Sequence, residues 1–140
     1  MLFRSSSTGS GDAVQDRPTA VELLTAVREF LERDVMGAVA GRVQFHTRVA
    51  INVLDTVSRE LELGPAQDAA QRERLLALFG AGDGDERSTD RLERDLAAAL
   101  RSGSLDEAAL AAATEHVRAI VHEKLLVANP KYLEIGRAHV

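Results

Sequence analysis

The stretch TAVELLTAVREFLERDV, residues 19–35, decides the fold class. Thr19 and Glu22 stand three apart, the spacing at which a hydroxyl and a carboxylate cap a helix start reciprocally. Behind them Leu23, Leu24, Val27, Phe30, Leu31 and Val35 recur every three or four residues, the period of one helix face. Glu22, Glu29, Glu32 and Arg33 fall on the other side, where Glu29 can pair with Arg33 one turn on. The pattern predicts a helix over residues 20–36.

The same period and the same kind of punctuation continue along the chain. Gly37 and Gly41 mark a break. Val43, Val49, Ala50, Val53, Leu54, Val57 and Leu61 predict a second helix over 42–63, with Arg48, Asp55, Arg59 and Glu62 on its solvated face. Gly64-Pro65 is expected to stop it. Pro65 suits the first turn of a third helix, which carries Leu75, Leu76, Leu78 and Phe79 before Gly80. Ser88 or Thr89 caps a fourth, bearing Leu92, Leu96, Ala99 and Leu100 and ending before Gly103. Ser104 with Glu107 repeats the capping box and opens the longest element, 105–128. Leu110, Ala113, Val117, Ile120, Val121 and Leu125 are its expected inward face, and Asn129-Pro130 ends it. No segment has strand period, so the expected class is all-α: one bundle of about five helices spanning 19–133.

With 140 residues, 45% of them apolar and 28% charged, the chain has room for one water-soluble domain. It has no cysteine, which excludes disulfides, thiolate metal sites and a cysteine nucleophile. A net charge of −5, a pI of 5.4 and 4% aromatic residues without tryptophan argue against nucleic-acid and anionic-membrane surfaces. Residues 1–18, with the run SSSTGSG, read as a disordered tail. The opening apolar residues Met1 to Phe3 are too few for an export signal, and no apolar run reaches the roughly 18 residues of a membrane span. A cytoplasmic location is therefore expected. The closing EIGRAHV, residues 134–140, reads as a translated sequencing adapter joined in frame after Leu133, which leaves the natural C-terminus undefined.

Most chemical motifs fail on inspection. In the loop GDGDER, Asp83 and Asp85 tempt a calcium reading, but Ser88 takes the glycine position and Arg94 the bidentate glutamate position. The glycines of GAGDG and TGSGD lack a preceding strand and a following lysine, so neither is a phosphate loop. His116 and His122 are six residues apart, about 240° round a helix, and cannot share a metal; a solvated face is expected for both. No metal site, cofactor or catalytic set is predicted. One polar cluster remains: Arg42 and His46, one turn apart, with Asn52 at the border of the same stripe, and Lys124 in line with Val117, Ile120 and Val121. Buried charge needs partners or a path to water. The cations either snorkel while His46 bonds a carbonyl or a glutamate, or they converge at a groove that takes a phosphate or carboxylate. A catalytic His46 helped by Lys124 lacks a nucleophile with its own base.

Three segments carry a resemblance: PTAVELLTAVREFLERDV, GRVQFHTRVAINVLDTVSRELELGP and VHEKLLVANPKYL. Phe45, His46, Arg48, Val49, Ala50 and Asn52, then Lys124, Leu125, Asn129, Pro130, Tyr132 and Leu133, are its most specific residues. From Pro18 to Leu133 the chain resembles an all-helical bacterial family whose domain has no assigned function. The resemblance implies a helical fold and genes placed beside, or fused to, phosphotransferases similar to aminoglycoside kinases, and near acyl-CoA dehydrogenases. It implies no activity. Two expectations follow: an accessory protein that works with a phosphotransferase or an acyl-CoA dehydrogenase, as a homodimer or otherwise, or a binder or minor enzyme for a phosphorylated or CoA-linked acid using Arg42, His46, Asn52 and Lys124.

Overall fold

The computed structural model describes residues 16–138 and is all-helical over them, with no strand among the described residues. Most of the tail expected over 1–18 lies outside that range. Helix α1 is Ala20–Phe30, prolonged by one wide turn of π-helix, Leu31–Val35. Four helices follow: α2, Gly41–Leu78; α3, Thr89–Ser102; α4, Glu107–Ala128; and α5, Pro130–Ala138. No helix among the described residues is long and apolar enough to cross a membrane.

Local chemistry sets most of the ends. Thr19 accepts from the Glu22 amide at 3.2 Å, and Ser88 accepts from the Arg91 amide at 3.1 Å. The predicted box at Ser104 does not form. Asp106 caps α4 instead, accepting from the Ala109 amide at 2.8 Å, while the Ser104 hydroxyl turns back to the Ala99 carbonyl. A carboxylate suits a helix start better than a hydroxyl because it also meets the positive end of the helix dipole. Gly80 and Gly103, both left-handed with φ of 64° and 69°, close α2 and α3. In each case the glycine amide and the next one bond back to the final turn (Gly80 to Ala77 and Ala81 to Leu76; Gly103 to Leu100 and Ser104 to Ala99).

The main departure from expectation is α2, which runs unbroken through Gly64-Pro65 for 38 residues. Proline removes one amide donor and crowds the residue before it. Here that residue is Gly64, which has no Cβ to clash. Side chains also tie α2 to α4 on both sides of the proline: Arg59 Nε donates to the Val127 carbonyl at 2.7 Å, and the Gln67 amide donates to the Glu123 carbonyl at 3.1 Å. These pairs show α4 running antiparallel along the second half of α2. Along the first half runs α1, also antiparallel, joined by the Arg28–Asp55 ion pair and by Gln44, which donates to the Met36 carbonyl. The segment from Pro130, to which the sequence reading assigns no element, is α5, and it leans on α4.

The core sits at one end. Leu75, Leu92, Leu96 and Ala113 form it, with Leu76, Leu78, Phe79 and Leu105 packed round it. The loop between α2 and α3, expected to be a solvated acidic loop, is instead stapled. Arg72 donates to the Asp85 and Arg87 carbonyls, and Arg87 holds Asp85 and Asp95 while its guanidinium lies 5.2 Å from the Phe79 ring centre. Elsewhere the predicted inward stripes are open: Leu23, Val27 and Phe30 on α1, Val43, Val49, Val53, Val57 and Leu61 on α2, and Leu110, Val117 and Val121 on α4 are all exposed. α1 and α3 lie against α2, and α4 against α2 and α5, while α2 meets α1, α3 and α4 at different levels, which leaves these stripes uncovered.

Two outcomes follow. Leu92→Ala, at a fully buried position, should cost about 2–5 kcal/mol in urea unfolding followed by circular dichroism. The hydrogen bonds that Asp85 accepts from Arg87 hold its carboxyl down from the ordinary 3.8 to about 2. A lowered folded-state value means this contribution is complete above about pH 4 and is lost as pH falls through about 2. Thermal melts in that acid range should therefore be less steeply pH-dependent in Asp85→Asn than in the parent.

Candidate functional site

The first half of α2 and the α4–α5 junction form a groove of about 320 Å³, lined by Asn52, Asp55, Thr56 and Arg59 on one side and by Asn129, Pro130 and Lys131 on the other. Residues 52, 55, 56 and 59 share one helix face by their spacing. The junction exists because Pro130 cannot continue α4, and Asn129, pushed out of helical geometry (φ −154°, ψ 72°), turns the chain into α5. Two charged groups in the groove already have partners. Asp55 faces Arg28, whose guanidinium is held further toward its charged form by hydrogen bonds to Asp55 and then Glu32. Arg59 donates to the Val127 carbonyl and, at 3.3 Å, to the Thr56 hydroxyl. The exposed ends of Asn52, Asn129 and Lys131 give the groove amide donors, amide acceptors and one cation. That set recognises polar or anionic groups and contains no nucleophile–base pair.

The four residues singled out from the sequence occupy three places, all exposed. Arg42 and His46 come together at the start of α2, with Arg42 Nε 3.4 Å from His46 Nε2 and the Phe45 ring edge-on to the imidazole at 5.5 Å. Asn52 is in the groove just described. Lys124 lines a second groove of about 460 Å³ with Glu60, Gln67, Asp68 and Gln71. Some 20 residues of α2 separate its level from Arg42, a distance of about 30 Å. The structure thus brings Arg42 and His46 together and sets Asn52 and Lys124 apart. Their stripe was read as core-facing, but the stripe itself is open to solvent, so the polar groups meet no buried environment.

Sequence reasoning missed a buried network and misplaced its centre. His116, expected on a solvated face, is 2% exposed. Arg74 Nε donates to His116 Nδ1 at 3.2 Å, which leaves the ring proton on Nε2, 2.7 Å from Glu93 Oε1. Arg74 also bonds one oxygen of Glu123, whose other oxygen is buried without a protein partner. The available signal was register: His116 stands three residues after Ala113 and four before Ile120, in the inward row. Nothing in the sequence pointed to Arg74, Glu93 or Glu123 as its partners. Both ring nitrogens are engaged and the ring is covered, so the imidazole has no lone pair or proton left for a substrate. The network joins α2, α3 and α4 instead. His116→Ala would strand Arg74 and Glu93 beside the core, and a loss of about 2–4 kcal/mol is expected in urea unfolding. His116→Gln, which retains a hydrogen-bonding end, should recover part of it.

No curated protein and no solved structure matches this chain. A family model does, over residues 37–132, from the turn before α2 into α5, and it takes in both Asn52 and Asn129-Pro130. The chain belongs to the family described as Domain of unknown function (DUF6285).

Proposed function

We propose that this protein is an accessory protein that works by binding another protein. The observation that carries this reading is the row Phe45, Val49 and Val53 on α2, exposed by 64%, 41% and 54% on the flank away from α1. Large apolar side chains lie open there beside the hydrogen-bonding groove of Asn52, Asn129 and Lys131. An apolar strip with a polar rim is the usual make-up of a protein–protein contact. The chemistry of the partner comes from the family resemblance: a phosphotransferase similar to aminoglycoside kinases, or an acyl-CoA dehydrogenase, in the cytoplasm. Purified protein and the phosphotransferase encoded beside it should associate at micromolar concentration. Val49→Glu should weaken the association roughly tenfold or more with helicity unchanged. Absence of association with both proteins folded sinks the proposal.

A second reading, a binder of phosphorylated or CoA-linked acids, is favoured by Lys131 and Asn52 in the 320 Å³ groove and by the Arg42–His46 pair. Thermal-shift measurements with CoA esters and sugar phosphates separate the two. The accessory reading expects no shift. A shift abolished by Lys131→Ala or His46→Ala would put the ligand reading first.

A further inference from the structure

The α1–α2 hairpin leaves one apolar flank open. On α1, Leu23, Val27 and Phe30 form a row beside the side that meets α2; on α2, Val53, Val57 and Leu61 do the same. The two helices are antiparallel, with Arg28 opposite Asp55. This register brings both rows to the same flank of the hairpin, side by side. Between Ala20 and Phe30 no charged residue falls on that flank, and between Ala50 and Leu61 only Glu60 does, three residues after Val57; Glu22, Glu29, Asp55 and Arg59 lie elsewhere on their helices. The six named side chains are 36–56% exposed. Together they offer on the order of 600 Å² per chain, so two copies would cover about 1,200 Å², the lower bound of a specific interface.

We propose that a second copy of this chain covers the flank, two hairpins meeting face to face about a two-fold axis as a four-helix bundle. The argument for a copy over another protein is the distribution of the core. Leu75, Leu92, Leu96 and Ala113 all sit at the far end, and the hairpin's one buried apolar residue is Ile51. A helical hairpin with so little buried does not hold its shape alone. Its cover must be present whenever the chain is, in equal amount, a condition that a second copy meets by itself. Val53 stands at the border of both rows, whereas Phe45 and Val49 lie off this flank, so Val49→Glu and Val27→Glu probe the two surfaces separately.

Sedimentation equilibrium of the full chain over a dilution series tests the proposal. The expected mass is twice the chain mass of 15.1 kDa, with a melting temperature that rises with concentration. Val27→Glu should give a monomer, whereas Glu29→Lys, on the opposite side of α1, should remain a dimer. A fully helical monomer at 100-micromolar concentration (roughly the top of the usual range for specific dimers) would overturn it. So would a Val27→Glu dimer. If Val27→Glu also loses its helicity, a cysteine scan decides, because the parent has no cysteine. Val27→Cys and Val57→Cys should cross-link into dimers through a short bis-maleimide at concentrations where Glu29→Cys does not. Equal cross-linking at all three positions overturns the assignment.

Discussion

Proline 65 takes one amide donor out of the middle of α2, and the helix continues past it. The rest of the architecture depends on that continuity. A helix of 38 residues is a rod of about 57 Å, much longer than any of its companions. Each companion covers only part of it: α1 the first half, α4 the second, α3 the far tip. Had α2 broken at Gly64, as the Gly-Pro pair would lead one to expect, its two pieces could have folded back on each other and shared one core. Gly64 relieves the crowding, and Arg59 and Gln67 anchor the helix to the α4 backbone on either side of the break point. An unbroken helix follows, and with it a core displaced to one end.

The fold class was legible because helical period and end signals are local. The caps at Thr19 and Ser88, the stops at Gly80 and Gly103, and the turn between Met36 and Ala40 all come from residues within one turn of the boundary. Two kinds of information were not local. Whether Pro65 ends a helix depends on what braces it from across the bundle, and no spacing within α2 reports Val127 or Glu123. Whether an apolar stripe is buried depends on how many neighbours it has. Val27 and Leu92 carry equally good patterns, yet Leu92 packs with Leu75 of α2 and Ala113 of α4 while Val27 is left 49% exposed.

The site residues divide in the same way. Arg42 and His46 were paired correctly because one turn separates them. Lys124 and Asn52 were grouped with them by polarity, and polarity carries no distance. His116 shows the opposite error, since its register placed it inward while its chemistry argued for water. The structure reconciles the two by supplying Arg74 and Glu93, so that a polar ring is buried with both nitrogens occupied. Matching those partners to it required α2 and α3 to be placed beside α4, a long-range fact. The segments around Asn52 and around Asn129-Pro130, both within the stretch the family model matches, meet across one groove although some 75 residues of chain separate them.

The displaced core also bears on how the molecule opens. Four of its five well-buried apolar residues belong to the segment from Leu75 to Ala113, one contiguous cooperative unit. The hairpin of α1 and the start of α2 is a second unit, joined to the first through α2 and, at its edge, through the contact of Arg59 with α4. Amide exchange should therefore report two separate protection levels along one uninterrupted α-helix, highest near Leu75 and falling toward Gly41. The long helix is structurally one object and energetically two, and a perturbation at one end reaches the other along it and through its side-chain ties to α4.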